Sequence, residues 1–120
     1  EMGDYVAKLI AYEGTSSTWS DDLLFSADDP DIAGNFTLDS DNLAELVPES
    51  FVVWKSYLGP KTVSEVHDDL VAGFGNKGLV NWVGHGSYPS LAHEKVLERS
   101  DGAVMNNGTT DLALFAVFHA

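Results

Sequence analysis

The 120 residues contain no cysteine. That excludes a disulfide framework and a thiolate metal site, and it leaves these residues without a thiol nucleophile. It does not report a compartment. Positive charge is almost as scarce: 6 Lys and Arg stand against 19 Asp and Glu, for a formal net charge of −13 and a sequence pI near 4.3. Such a balance argues against a nucleic-acid backbone or an anionic membrane as partner, and favours cationic substrates or metal ions. No apolar run approaches bilayer-spanning length. No signal-peptide pattern opens the chain, and neither an internal repeat nor a low-complexity segment is present. Hydrophobic residues make up 44% and charged residues 21%, which is ordinary for a globular domain and sufficient at this length for one real core. Glu1 leads straight into a helical pattern and Ala120 closes an apolar, strand-like run, so both ends read as cuts within a longer protein.

The periodicities alternate between helix and strand. Met2, Tyr5, Val6, Leu9 and Ile10 recur at one-sided helical spacing, with a stop at Gly14. A polar loop follows, then a short apolar strand, Leu23 to Ala27, closed by Asp28, Asp29 and Pro30. Asp31 to Asp41 reads as an acidic loop. Asp39, Ser40 or Asp41 would cap a short helix through Leu43, Leu46 and Val47 that Pro48 ends. Phe51 to Leu58 is a second strand, with a turn at Gly59 and Pro60. Thr62 and Glu65 form a capping box. The helix it opens carries Val63, Val66, Leu70 and Phe74 inward and is ended by Gly73, Gly75 and Gly78. Leu79 to Val83 is a third strand, Leu91 to Leu97 a helical stretch, Asn106 to Gly108 a turn, and Leu112 to Phe118 the last strand. Strands alternating with helices imply right-handed crossovers and a parallel sheet. The expectation is a single domain over 1–120: a three-layer α/β/α sandwich on about four mainly parallel strands. Leu24, Val53, Val80, Trp82, Leu114 and Phe115 are its expected core residues.

Chemistry concentrates after the third strand, in Gly84-His85-Gly86-Ser87. Two glycines permit a sharp turn and close backbone approach, and the carboxyl edge of an open α/β sheet is where ligands bind. The same residues equally suit a tight strand-to-loop turn with an incidental histidine. Asp28 and Asp29 end the first strand on the same edge. A carboxylate there would fix the imidazole tautomer, and it would equally serve to cap the strand end. His67 reads as a surface residue and His93 as an exposed residue beside a cleft. His119 ends the last strand, and zinc shared between it and His85 lacks helical ligand spacing. Ser87 and Ser90 are the hydroxyls near His85, without the Gly-x-Ser-x-Gly elbow of a serine nucleophile. The acidic stretch Asp28 to Asp41 offers carboxylates for calcium without the spacing of a calcium loop. Asp39 within it is a candidate for receiving a basic substrate side chain.

The stretch "GLVNWVGHGS" resembles the histidine motif of the gingipain family of cysteine peptidases, relatives of caspases. "YVAKLIAYE" is similar to the helix preceding that family's catalytic subdomain, and "LLFSADD" to its first strand with an acidic end. "VLERSDGAVMNNG" followed by "LALFAVFHA" is similar to the approach to its nucleophile strand. The resemblance implies a caspase-like (flavodoxin-like) fold and a fragment of a cysteine endopeptidase's catalytic domain. It implies His85 as general base, the Gly86 N–H as an oxyanion-hole donor and Asp28 as the residue that steadies the histidine. The nucleophile position falls at or just after Ala120, so these residues alone are expected to be inactive. The resemblance further implies a peptide or protein substrate and a bacterial, extracellular or cell-surface setting; Asp39 and Ser87 are the candidate substrate contacts, and no cofactor is expected. Self-association through the edge of the last strand is expected. Two other readings compete: a receiver-type phosphoacceptor domain, whose strand-end lysine neither Lys55 nor Lys61 supplies, and a non-catalytic caspase-like interaction module.

Overall fold

Leu23, Leu24, Phe25, Ser26 and Ala27 are all buried, although successive side chains point to opposite faces. A strand covered on both faces belongs in the middle of a parallel sheet with helices above and below. A computed structural model, which describes residues 2–14, 21–105 and 115–119, has this arrangement. In chain order its elements are α1 (Met2–Gly14), β1 (Asp22–Ala27), α2 (Phe36–Ala44), β2 (Val52–Tyr57), α3 (Val63–Asn76), β3 (Leu79–Val83), β4 (Ser90–Leu91), β5 (Leu97–Glu98), a 3-10 turn (Arg99–Ala103) and β6 (Phe115–His119). The main sheet is four-stranded and parallel, in the order β2-β1-β3-β6. Ala27 is level with Val83, and Val83 with His119, so three strands reach the carboxyl edge together.

The two faces bury separate clusters. On one, Val66 and Leu70 of α3 pack with Leu24, Val80 and Trp82, and Ala92, Val96 and Leu97 extend the cover. On the other, α2 lays Leu43 and Ala44 over Leu23, Phe25, Val53, Tyr57 and Leu79. Each fully buried Leu or Val contributes roughly 1.5–3 kcal/mol of transfer free energy. Together these layers form the expected α/β/α sandwich. The capping box at Thr62 is present: its hydroxyl accepts from the Glu65 N–H and the Glu65 carboxylate accepts from the Thr62 N–H.

Four local expectations need correction. α2 starts at Phe36, because Asn35 caps it by accepting from the Leu38 N–H; Asp39 to Asp41 are inside the helix. Gly73 and Gly75 lie within α3. At Gly73 a Cβ would stand 2.6 Å from Leu24 Cδ2, so the glycine lets the helix close on the sheet. Val63 is exposed rather than inward. Leu91 to Leu97 is no helix: β4 and β5 pair antiparallel, and the turn between them holds Ala92 and Lys95 at positive φ. Of the expected core, Leu24, Val80 and Trp82 are buried and Val53 is half-buried. Leu114 and the side chain of Phe115 fall outside the described residues, as does the Asn106 to Gly108 turn. α1 forms as its spacing predicts, with Met2, Val6 and Ile10 exposed. Among the described residues no helix is long and apolar enough to cross a membrane.

Candidate active site

The β1–β3 ladder continues one step beyond β1, where the Asp28 N–H donates to the Val83 carbonyl at 3.0 Å. This puts the Asp28 side chain directly over Gly84. A Cβ on Gly84 would fall deep inside van der Waals contact of Asp28 Cβ and 3.1 Å from Trp82 Cζ2, and its φ of +154° is one L side chains rarely adopt. The glycine is therefore required, and the backbone turns there to present His85 to Asp28. Asp28 is 2% exposed. Its Oδ2 accepts from the His85 backbone N–H at 3.1 Å and faces the His85 Nδ1 at 3.0 Å, and its Oδ1 accepts from the Asp29 N–H at 3.0 Å. The His85 carbonyl in turn accepts from Trp82 Nε1 at 3.3 Å and from the Ala92 N–H at 2.9 Å. With a carboxylate on Nδ1, the hydrogen-bond network assigns the proton there in the neutral ring and leaves the Nε2 lone pair outward.

Nε2 lies 3.5 Å from Asp31 Oδ2, and the Phe36 ring meets the imidazole edge-on with centroids 5.0 Å apart. The His85 side chain is 46% exposed. Its pKa is raised above the usual 6.5, chiefly by the hydrogen bond to Asp28; partial burial opposes this, and the charges of Asp31, Asp28 and Glu94 add to it. The exposed side of the ring looks into a cleft of about 620 Å³ whose walls include Asp29, Asp31, Gly86, Ser87, His93 and Glu94. That volume is in the range of small-molecule and side-chain subsites.

The structure thus brings Asp28, His85, Gly86 and Ser87 to one cleft. The Ser87 hydroxyl is engaged with Ser90, at 3.1 Å from its Oγ. His93 is exposed on the cleft wall. Asp39 sits exposed in the first turn of α2, apart from the residues that line this cleft. His67 stands on the surface of α3 beside Asp68. His119 pairs in register with Val83, and its side chain lies outside the described residues. Asp28, Asp29 and Glu94 each offer one oxygen within 4.8 Å of the others, the one group among the described residues spaced for a cation. Both Asp28 oxygens are already hydrogen-bonded.

Asp31, Phe36 and Glu94 join the site without having been singled out by the sequence. Asp31 was hidden in an acidic stretch. Phe36 becomes visible only once Asn35 is recognised as a helix cap. Glu94 sits in the hairpin that was read as helix. Chemically, a carboxylate-braced imidazole exposed in a cleft can accept and return a proton. No curated protein and no solved structure matches the chain. The model of peptidase family C25 matches residues 1–119, so the chain belongs to that family of cysteine peptidases.

Proposed function

We propose that this chain carries the general-base half of a cysteine endopeptidase site, with His85 as the base, Asp28 as its orienting carboxylate and the Gly86 N–H as an oxyanion donor. The observation that carries the reading is the His85 Nδ1–Asp28 Oδ2 contact of 3.0 Å on a half-exposed ring that lines the cleft. Register supports a place for the missing thiol. His119 pairs with Val83, two residues before His85, so β6 runs beside β3 toward the sheet edge that carries His85. In this reading the 120 residues are part of a longer catalytic domain that supplies the cysteine there.

Nε2 takes the thiol proton, and the thiolate attacks the scissile peptide carbonyl. The oxyanion is held by backbone N–H groups, and the imidazolium returns the proton to the leaving amine. Water, deprotonated by the same nitrogen, then hydrolyses the thioester. Asp28 keeps the ring in one tautomer and stabilises the imidazolium. The test is peptide hydrolysis by the complete protein. Replacing the proposed cysteine should abolish activity, and His85→Ala should lower kcat by roughly 10²–10⁴, the usual contribution of a positioned acid–base group. Full activity with His85→Ala would overturn the assignment.

A further inference from the structure

We propose that the segment from Asp31 to Phe36 is an imidazole clamp, in which Asp31 and Phe36 are positioning residues that hold the His85 ring with Nε2 aimed into the cleft. The inference rests on His85 being the base. Asp28 fixes one ring nitrogen but leaves the plane of the ring and its far side to be set by something else. The chain between β1 and α2 supplies both.

Asp31 closes this loop on itself. Its Oδ1 accepts from the Ala33 N–H at 2.7 Å and the Gly34 N–H at 3.3 Å, while its own N–H donates to the Gly34 carbonyl at 3.0 Å. One carboxylate oxygen thus organises the turn, and the other is left 3.5 Å from His85 Nε2. Four residues on, Asn35 accepts from the Leu38 N–H at 3.2 Å and from the Thr37 hydroxyl at 2.8 Å, which starts α2 at Phe36. The first residue of that helix presents its ring to the imidazole at an interplanar angle of 75°. Edge-to-face packing of this kind is directional. The ring is therefore met by Asp28 from the β1 end, by Asp31 from the loop and by Phe36 from α2. Glu94 of the β4–β5 turn adds its charge from across the cleft.

The two residues do different work. In the neutral ring Nε2 carries a lone pair and has no proton to give the Asp31 carboxylate 3.5 Å away, so the attraction arises only when Nε2 is protonated. It favours the imidazolium, the state His85 reaches after taking a proton. Phe36 carries no charge and acts by shape, opposing the ring flip about Cβ–Cγ that would put Cδ2 in the place of Nδ1 and break the contact with Asp28. Asp31 is exposed and is no part of either buried cluster, so packing of the core does not account for its placement.

The experiment uses the 120-residue chain with ¹⁵N-labelled histidine, because no thiol is present to disturb the ring. Nitrogen–proton correlation spectra of His85 report tautomer and titration midpoint directly. The wild type should show one tautomer, protonated at Nδ1. Phe36→Leu should mix tautomers or broaden the ring signals, and Phe36→Tyr should restore them. Asp31→Asn, which keeps an acceptor for the loop, should lower the midpoint while the tautomer persists. Circular dichroism checks that each variant folds. In the complete protein both Phe36→Leu and Asp31→Asn should lower kcat by roughly ten- to a hundredfold with KM nearly unchanged, the scale of a small misplacement of a reacting group. Wild-type spectra and midpoints in folded Phe36→Leu and Asp31→Asn would overturn the clamp. A clamp seen in the spectra alongside an active His85→Ala protein would instead overturn the base assignment, so the two failures are distinguishable.

Discussion

Gly84→Ala tests the joint on which the site turns. The added Cβ would press on Asp28 Cβ and stand 3.1 Å from both Asp28 N and Trp82 Cζ2. None of these neighbours can yield cheaply. Asp28 N is tied to the Val83 carbonyl at 3.0 Å, and Trp82 is fully buried with its Nε1 bonded to the His85 carbonyl. Relief requires the ends of β1 and β3 to part. Overpacking costs about 1–3 kcal/mol, and each hydrogen bond lost at the parted ends adds about 1 kcal/mol. The sum is about 2–4 kcal/mol. For a urea m-value of about 2 kcal/mol/M, the midpoint should fall by about 1–2 M. Gly75→Ala is the internal control. It lies in the helix α3 with nothing within 4 Å of its Cβ, so it should gain about 0.5–1 kcal/mol from helix propensity. Urea melts followed by tryptophan fluorescence give the stabilities, and the ¹⁵N spectra of His85 report the joint. Gly84→Ala with wild-type stability would refute the packing argument. Lost stability with an unchanged His85–Asp28 pair would refute the claim that the strand ends carry the site.

Other expectations follow from the same geometry. Asp28→Asn removes the main cause of the raised His85 pKa, so the ring should titrate nearer its ordinary value of 6.5, read from the same spectra. Because the folded pKa is raised, the stability His85 contributes is fully present below about pH 6.5 and is lost as pH rises through the folded value. Urea melts of the wild type and His85→Gln should therefore differ more at pH 5 than at pH 9. Tyr57 is pushed up to about 12, chiefly by burial, with its hydrogen bond to Asp41 adding to the rise; absorbance at 295 nm should show a late phenol that Tyr57→Phe removes. Among the described residues β2 and β6 form the two edges of the main sheet, and sheet edges invite pairing with another chain. Light scattering at high concentration should show a species larger than the monomer, and a strictly monomeric protein would count against this.

Different parts of the molecule were legible to different degrees. β1 and β3 were plain, because Leu23–Ala27 and Leu79–Val83 are short apolar runs bounded by Asp and Gly. α3 was plain from Thr62 and Glu65, since a capping box is a local signal with a local cause. α2 was misplaced because three acidic or hydroxyl residues advertised a cap that Asn35 had already made. The β4–β5 hairpin was missed for a different reason. Its strands are two residues each, and its turn holds Ala92 and Lys95 at positive φ, where glycine or asparagine is the usual marker. Buried Ala92, Val96 and Leu97 then imitate a helical stripe, although what buries them is the α3 face of the core.

The site itself shows why local patterns identify a histidine but not its partner. Asp28 and His85 are 57 positions apart, and no spacing rule links them. Their meeting follows from topology: β1 and β3 are neighbours, and Ala27 is level with Val83. Each is then one or two residues past its strand, on the carboxyl edge. Had the order placed β2 between them, the same two residues would stand about 10 Å apart, two inter-strand spacings, beyond any hydrogen bond. Asp29 is adjacent to Asp28 in sequence and looked equivalent to it. The backbone distinguishes them, because the Asp28 N–H continues the ladder to the Val83 carbonyl while Asp29 turns outward and is exposed. Gly84 completes the selection: it leaves a space that Asp28 Cβ fills, and that contact holds the carboxylate against the His85 main chain and ring together. The glycine before the histidine is thus part of the carboxylate's binding site, which explains why the motif and the acidic strand end act as one unit although they are distant in the chain.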